Sequence, residues 1–212
     1  MKKLIRGIIE FRKTRRPEYA STFAKLALGQ FPDALFIACS DSRVVPNLFA
    51  STEPGDLFVV RNVGNIVSPC GPDGISVSDE SEAAAIELAI HSLKVSDIVV
   101  CGHSDCGAMR TIHAGVSPST PPHLRSWLRH AQPAVDRYQQ GLRMKDDLAP
   151  HNHIGQLNVL LQLEHLRSYP MVLESEAKKQ LTLHAWWFDI AKADVQVWDS
   201  AESRFVLIDE SI

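Results

Sequence analysis

The chain has 212 residues, 45% of them hydrophobic and 22% charged, with a formal net charge of −3. That length and balance suit one sizeable globular domain, and the slight acidity argues against a dedicated nucleic-acid binder, since phosphate contacts need a basic face. No apolar run approaches the roughly 18 residues of a membrane span, and no signal-peptide core follows Met1. With only four cysteines, the expected location is a reducing compartment, the cytoplasm.

Residues 2–15 carry Leu4, Ile5, Ile8, Ile9 and Phe11 near helical spacing, with Lys2, Lys3, Arg6, Arg12, Lys13, Arg15 and Arg16 between and after them. A targeting or membrane-surface helix has such a pattern, but a helix packed on its apolar stripe with a solvated basic face is the simpler expectation. Pro17 interrupts it, and residues 19–28 read as a second helix stopped by Gly29. Residues 35–38 are a short, wholly apolar run, the mark of a buried strand, ending in Cys39-Ser40-Asp41-Ser42-Arg43. Glu53-Pro54-Gly55-Asp56 signals a turn, after which residues 57–60 form a second buried strand leading into Arg61 and Asn62. Residues 68–78, rich in Ser, Pro and Gly and holding Cys70, form a loop.

Asp79 and Glu82 are spaced as a capping box, and the helix they open places Ile86, Ala89, Ile90 and Leu93 on one face. It delivers the chain to a third apolar run, residues 98–101. Strand, helix and strand in this order make a parallel pair. Gly102 breaks the run, and His103 and Cys106 follow as the chain turns into another helix. Residues 116–122 form a loop, and helices are expected over 124–138 and 154–168. Residues 181–188, 195–198 and 205–208 read as strands that extend the sheet at its edge. The fold class is therefore α/β: a mainly parallel β-sheet flanked by helices, with C-terminal edge strands and an N-terminal helical arm over residues 1–30. No internal repeat or dividing linker is present, so residues 1–212 are expected to form a single domain.

The chemistry lies at two strand tips. Adjacent strands of an open α/β sheet form sites at their carboxyl ends, and there Cys39, His103 and Cys106 would meet. A histidine and a cysteine at one corner are weak evidence for a metal. Joined by a cysteine from a second corner of the same kind, they make a Cys2His set, the donors that zinc favours. No fourth Cys or His stands at finger-like spacing, so one position of a tetrahedron stays open, as in catalytic rather than structural zinc. Asp41 lies between Cys39 and Arg43. A carboxylate there can accept a hydrogen bond from metal-bound water, and Arg43 can hold it in a forked ion pair that depresses its pKa. The competing account of Ser-Asp-Ser-Arg is a turn with a surface salt bridge.

CSDSR at 39–43, RNVGNIV at 61–67, AAIELA at 84–89 and CGHSDCGAM at 101–109, in that order, resemble the motifs of the β-class carbonic anhydrases of bacteria and plants. The likeness runs from about Leu4 past LHAWWFD at 183–189. It implies reversible hydration of CO2 to bicarbonate and a proton by a zinc-bound hydroxide, with one zinc per subunit on Cys39, His103 and Cys106 and an Asp41–Arg43 dyad orienting the hydroxide. Gly102 and Gly107 would let the backbone approach metal and substrate. The resemblance also implies a homodimer or homotetramer in which the arm wraps a partner subunit. One subclass of the family closes its site with the aspartate as fourth ligand, governed by a bicarbonate pocket of tryptophan, arginine and tyrosine. The matching positions here are Phe36, Arg61 and Phe188, which lack the indole N–H and the phenol O–H. The open form is therefore the expected resting state, and Asp41 would be a metal ligand only in a closed state. Because two thiolates cancel the charge of the ion, the bound water should ionise above the ~7 of three-histidine sites, so activity should rise with pH through neutrality.

Two other functions stay open. One is hydrolysis of CS2 or COS on the same scaffold, which the ligand set does not distinguish. The other is a non-catalytic partner of a bicarbonate transporter or carbon-fixing compartment, which predicts loss of a ligand or of the Asp–Arg pair, and these are intact. Of the remaining groups, Cys101 is expected to be an inert core thiol and Cys70 an unactivated loop thiol. His113, His123, His151 and His153 are expected to be solvated surface histidines rather than proton shuttles. Trp186 and Trp187 belong to core or interface packing rather than to a binding platform. No phosphate-binding Gly-rich pattern and no nucleophile elbow is present.

Overall fold

Six strands, β1 (Ala34–Cys39), β2 (Leu57–Asn62), β3 (Asp97–His103), β4 (Thr182–Asp189), β5 (Asp194–Asp199) and β6 (Arg204–Leu207), form one sheet in the order β2-β1-β3-β4-β5-β6. The computed structural model describes residues 1–144 and 147–209. β2, β1, β3 and β4 are parallel, and β5 and β6 are added antiparallel at one edge. Every residue of β1 is buried. That explains its unbroken apolar run, since a central parallel strand has no solvent face on which polar residues could alternate.

The alternation of strand side chains divides the core. Leu35, Ile37, Ile98 and Val100 face one side, packing with Ile86, Ile90 and Leu166. Phe36, Ala38, Val99 and Cys101 face the other, with Val44, Phe188 and the rings of Phe49 and Trp186. The chain steps outward from β1 to β2, then crosses back past β1 to reach β3. The strand order therefore reverses between β1 and β3. In open parallel sheets the crevice at such a reversal is where a site forms.

The helices follow the sequence with several differences. Asp79 caps α4 (Glu80–Glu87), its side chain accepting from Ser81 N at 2.9 Å. The expected capping box is not completed, because Glu82 turns into the protein instead. α4 continues as a π-helical stretch, Leu88–Leu93, closed by Lys94 in the left-handed conformation. α5 (Gly107–Ala114) follows β3. The single helix expected over 124–138 is three pieces: α6 (Pro122–Leu128), a 3-10 turn (Arg129–Ala131) and α7 (Gln132–Gln139). α8 (Pro150–Arg167) lies across β3 and β4. A further helix, α9 (Pro170–Ala177), follows it, started by a proline whose missing N–H would be unpaired in a first turn anyway.

The arm comprises α1 (Lys2–Thr14) and α2 (Arg16–Leu26), where Pro17 sits in the first turn of α2. Neither helix buries a residue within the chain, and Leu4, Ile5, Ile8, Ile9 and Phe11 all remain exposed. The expected packing of the apolar stripe is thus not supplied by this chain itself. Among the described residues no helix is long and apolar enough to cross a membrane.

Candidate metal centre

β1 and β3 run side by side with Ala38 opposite Cys101, so their carboxyl tips finish together. Cys39 ends β1, His103 ends β3, and Cys106 is the N-cap of α5. All three side chains are buried, and their ligand atoms lie within 4.8 Å of one another, a group that could hold a metal ion. The two sulfurs are 4.0 Å apart. His103 Nδ1 lies 2.9 Å from the carbonyl of Ser104, which fixes the proton on Nδ1 and leaves a lone pair on Nε2. That Nε2 is buried without a hydrogen-bond partner. A buried polar atom left so costs about 1–3 kcal/mol. Two buried sulfurs and one unsatisfied imidazole nitrogen are the donor set that suits zinc.

The thiols are unequal. The hydrogen bond between them, helped by the Gly64 N–H that donates to Cys39 Sγ at 3.3 Å, holds Cys39 below the usual thiol range. The same bond, together with burial, pushes Cys106 above it.

Asp41 stands at the rim of this group, its Oδ2 3.9 Å from His103 Nε2. Arg43 grips it as a fork: Nε donates to Oδ1 at 2.9 Å and Nη2 donates to Oδ2 at 2.7 Å, with the Arg43 backbone N–H adding 3.0 Å to Oδ1. These bonds hold the carboxyl far below the usual carboxylate range. Arg43 Nη2 also donates to the carbonyl of Asp105 at 3.2 Å, so it spans both corners. Asp105 itself is left-handed, at φ +56°. Its N–H donates to Asn152 Oδ1 at 2.8 Å, and its carboxylate pairs with Arg110 and with His151 Nε2 at 2.9 Å.

Arg61 contributes in a way its sequence position does not advertise. Its Nε donates to Cys39 O at 3.0 Å and its Nη2 donates to Asp41 O at 2.7 Å, bracing the backbone on both sides of Ser40. Phe36 and Phe188 pack on a common third ring: Phe49 stacks on Phe188 at 4.6 Å between ring centroids and tilts against Phe36 at 6.1 Å.

A cavity of about 410 Å³ opens beside the group, lined by Cys39, Asp41, Val63, Gly107, Ala108 and Leu124 among others. A Cβ on Gly107 would meet nothing within 4 Å. Gly102 has a different reason to be glycine. A Cβ there would come within 2.5 Å of Val159 Cγ2 and 3.1 Å of the Trp187 ring, so the close approach it permits is that of α8 and β4.

Two histidines correct the expectation of surface positions. His153 is buried, and His151 is mostly covered and held by Asp105. Both lie in the first turn of α8, His151 against the corner that follows β3 and His153 against the ring of Tyr138 on α7. His113 and His123 are exposed. Cys101 is fully buried, which drives its thiol well above the ordinary range, and Cys70 is half-buried and also raised by burial. Trp187 is a core residue and Trp186 packs edge-on against Phe36 at 5.7 Å.

The family model described as carbonic anhydrase matches residues 34–195, a span that contains both corners. This chain belongs to the carbonic anhydrase family. It is 41% identical over 210 residues to a carbonic anhydrase of Pseudomonas aeruginosa, covering 99% of this chain and 93% of that protein. It is 38% identical to carbonic anhydrase 1 of Escherichia coli O157:H7, covering 97% of this chain and 91% of the other. Among solved structures, the β-carbonic anhydrase CcaA superimposes with a TM-score of 0.87 at 35% identity, over 100% of this chain and 93% of that one. One of two tetrameric β-carbonic anhydrases from Sordaria macrospora gives 0.79 at 30% identity, over 92% and 95%. The α/β sheet and the carbonic anhydrase class are thus common to this chain and the enzymes it matches.

Proposed function

We propose that this carbonic anhydrase catalyses the reversible hydration of CO2 to bicarbonate and a proton, using one zinc per subunit held by Cys39, His103 and Cys106. The observation that carries the proposal is the unpartnered His103 Nε2 beside two buried sulfurs, with the Asp41–Arg43 fork at their rim. Zinc, when bound, supplies the Lewis acidity that makes water a nucleophile near neutral pH. The chain's own residues do the rest. Asp41 accepts a hydrogen bond from the attacking water and so orients it toward the carbon of CO2. Arg43 keeps that carboxylate ionised and fixed in direction, so no reorientation is needed at the moment of attack. Arg61, by bracing the carbonyls of Cys39 and Asp41, holds ligand and orienting group in one register. Val63, Ala108 and Leu124 offer an apolar wall that suits a small apolar gas.

The resting site is open in this reading, since Asp41 is held by Arg43 and by Arg61 through its carbonyl. We read residues 1–212 as one domain whose 1–30 arm packs on a second subunit of a dimer or tetramer. The exposed apolar stripe of α1 and the tetrameric relative support that reading. The four free cysteines fit a cytoplasmic location. The deciding experiment measures zinc content and CO2 hydration rate across pH on the purified protein. Stoichiometric zinc and a rate that rises through neutrality are expected. A metal-free protein, or one inactive on CO2 with zinc bound, would refute the proposal.

A further inference from the structure

Glu82 takes no part in the chemistry above, yet it is a carboxyl only 3% exposed. Its spacing from Asp79 suits a capping box, but both its oxygens point elsewhere. Oε1 accepts from Asn62 Nδ2 at 2.8 Å, and Oε2 accepts from the backbone N–H of Ser68 at 3.1 Å. Asn62 in turn closes the intervening loop on itself: its Oδ1 accepts from Ile66 N at 2.8 Å and its Nδ2 donates to Ile66 O at 2.7 Å. Between those anchors lie Val63, which walls the cavity, and Gly64, whose N–H donates to Cys39 Sγ. Burial pushes the Glu82 pKa up to about 8. The two N–H bonds it accepts favour the ionised form and so oppose that rise.

We infer that Glu82 is a positioning residue for Cys39: its two hydrogen bonds fix both ends of the 62–68 loop, and the loop presents the Gly64 N–H to the Cys39 sulfur. The consequence for metal retention rests on the zinc reading above, whereas the hold on the loop does not.

Three variants test it: Glu82→Ala, Glu82→Gln and Leu181→Ala. The last removes a buried side chain beside the Thr182–Asp97 pairing, at the opposite end of the sheet, as a control for general destabilisation. Amide hydrogen exchange over residues 62–68, measured without metal, should quicken in Glu82→Ala. Zinc should also leave that variant for a chelator about tenfold faster, the size of effect seen when a group supporting a metal ligand is lost. Glu82→Gln keeps one acceptor oxygen and should fall between wild type and alanine in both measurements. Leu181→Ala should lower the melting temperature and change neither. Unchanged loop exchange in Glu82→Ala, or an equal acceleration in Leu181→Ala, would overturn the inference. A wild-type protein that takes up no zinc while Glu82→Ala loosens the loop would remove the zinc reading and still support the role of Glu82.

Discussion

Arg43 binds both carboxylate oxygens of Asp41 and, through the same Nη2, the backbone carbonyl of Asp105. One side chain thereby ties the corner that follows β1 to the corner that follows β3. Replacing Arg43 with alanine should release the carboxylate and loosen the spacing of the two corners together. CO2 hydration is expected to fall by about 10- to 100-fold, with zinc content retained. Asp41→Asn keeps the shape and loses the charge, and should lose activity to a similar degree. Full activity in either variant would remove the dyad from the mechanism.

Cys106→Ala takes away one of the three donors and leaves a Cys–His pair. The purified variant should carry far less than one zinc per chain, read by atomic absorption, and lose CO2 hydration in proportion. Added zinc should restore wild-type protein stripped with a chelator but not this variant. Zinc bound stoichiometrically by Cys106→Ala would mean that the ion sits elsewhere.

The buried Glu82 makes a statement about stability and pH. Its pKa is raised by burial from an ordinary 4.5 to about 8 in the folded chain, so the folded state holds a proton that the unfolded state gives up. Below about pH 4.5 both states are protonated and there is no penalty. Between there and about pH 8 folding stability declines, by at most about 1.4 kcal/mol for each pH unit, and above pH 8 the penalty is complete. The nearby Asp79 carboxylate adds to the rise of Glu82, and the Tyr169 phenol, pushed up to about 12 by burial, titrates above this range. Urea unfolding of wild type and Glu82→Gln at a series of pH values should show the glutamine variant gaining on wild type as pH rises. A difference that stays constant from pH 5 to about 8 would contradict the shift.

Gly102→Ala puts a methyl group against Val159 and Trp187 with no room to receive it. A loss of about 1–3 kcal/mol is expected, seen as several degrees of melting temperature. Gly107→Ala, facing open space, should melt like wild type. Equal melting of the two variants would show that the helix yields at Val159.

Removing residues 1–26 deletes α1 and α2, which bury nothing within the chain. The sheet should fold, and sedimentation should report a smaller assembly than that of the full chain. An unchanged mass would mean the arm is not part of a subunit contact.

Much of this molecule could be read from local pattern. The β1 and β3 runs announce themselves because a parallel strand covered on both faces has to be apolar throughout, and each of the two metal corners follows such a run directly; β2, read as buried from its apolar run, is the edge strand and only half-buried. Asp41 and Arg43 were legible because they are close in sequence, and their fork formed as spacing suggested. What stayed hidden is long-range. Arg61 reaches Cys39 and Asp41 across a strand pairing, and Glu82 abandons an apparently local role for partners at Asn62 and Ser68. Neither leaves a periodic trace. α9 leaves no sequence signal because eight residues give too few turns for a stripe to emerge, and the packing of α8 and β4 against Gly102 has no local trace.

The packed rings of Phe36, Phe49 and Phe188 have a consequence for how this enzyme would be governed. Three apolar rings lack the N–H and O–H with which to hold a hydrated anion, so under the proposed function accumulating product would gain no perch there from which to throttle its own formation. Output would then follow the supply of gas and the number of copies a cell makes, a tap left running rather than a thermostat.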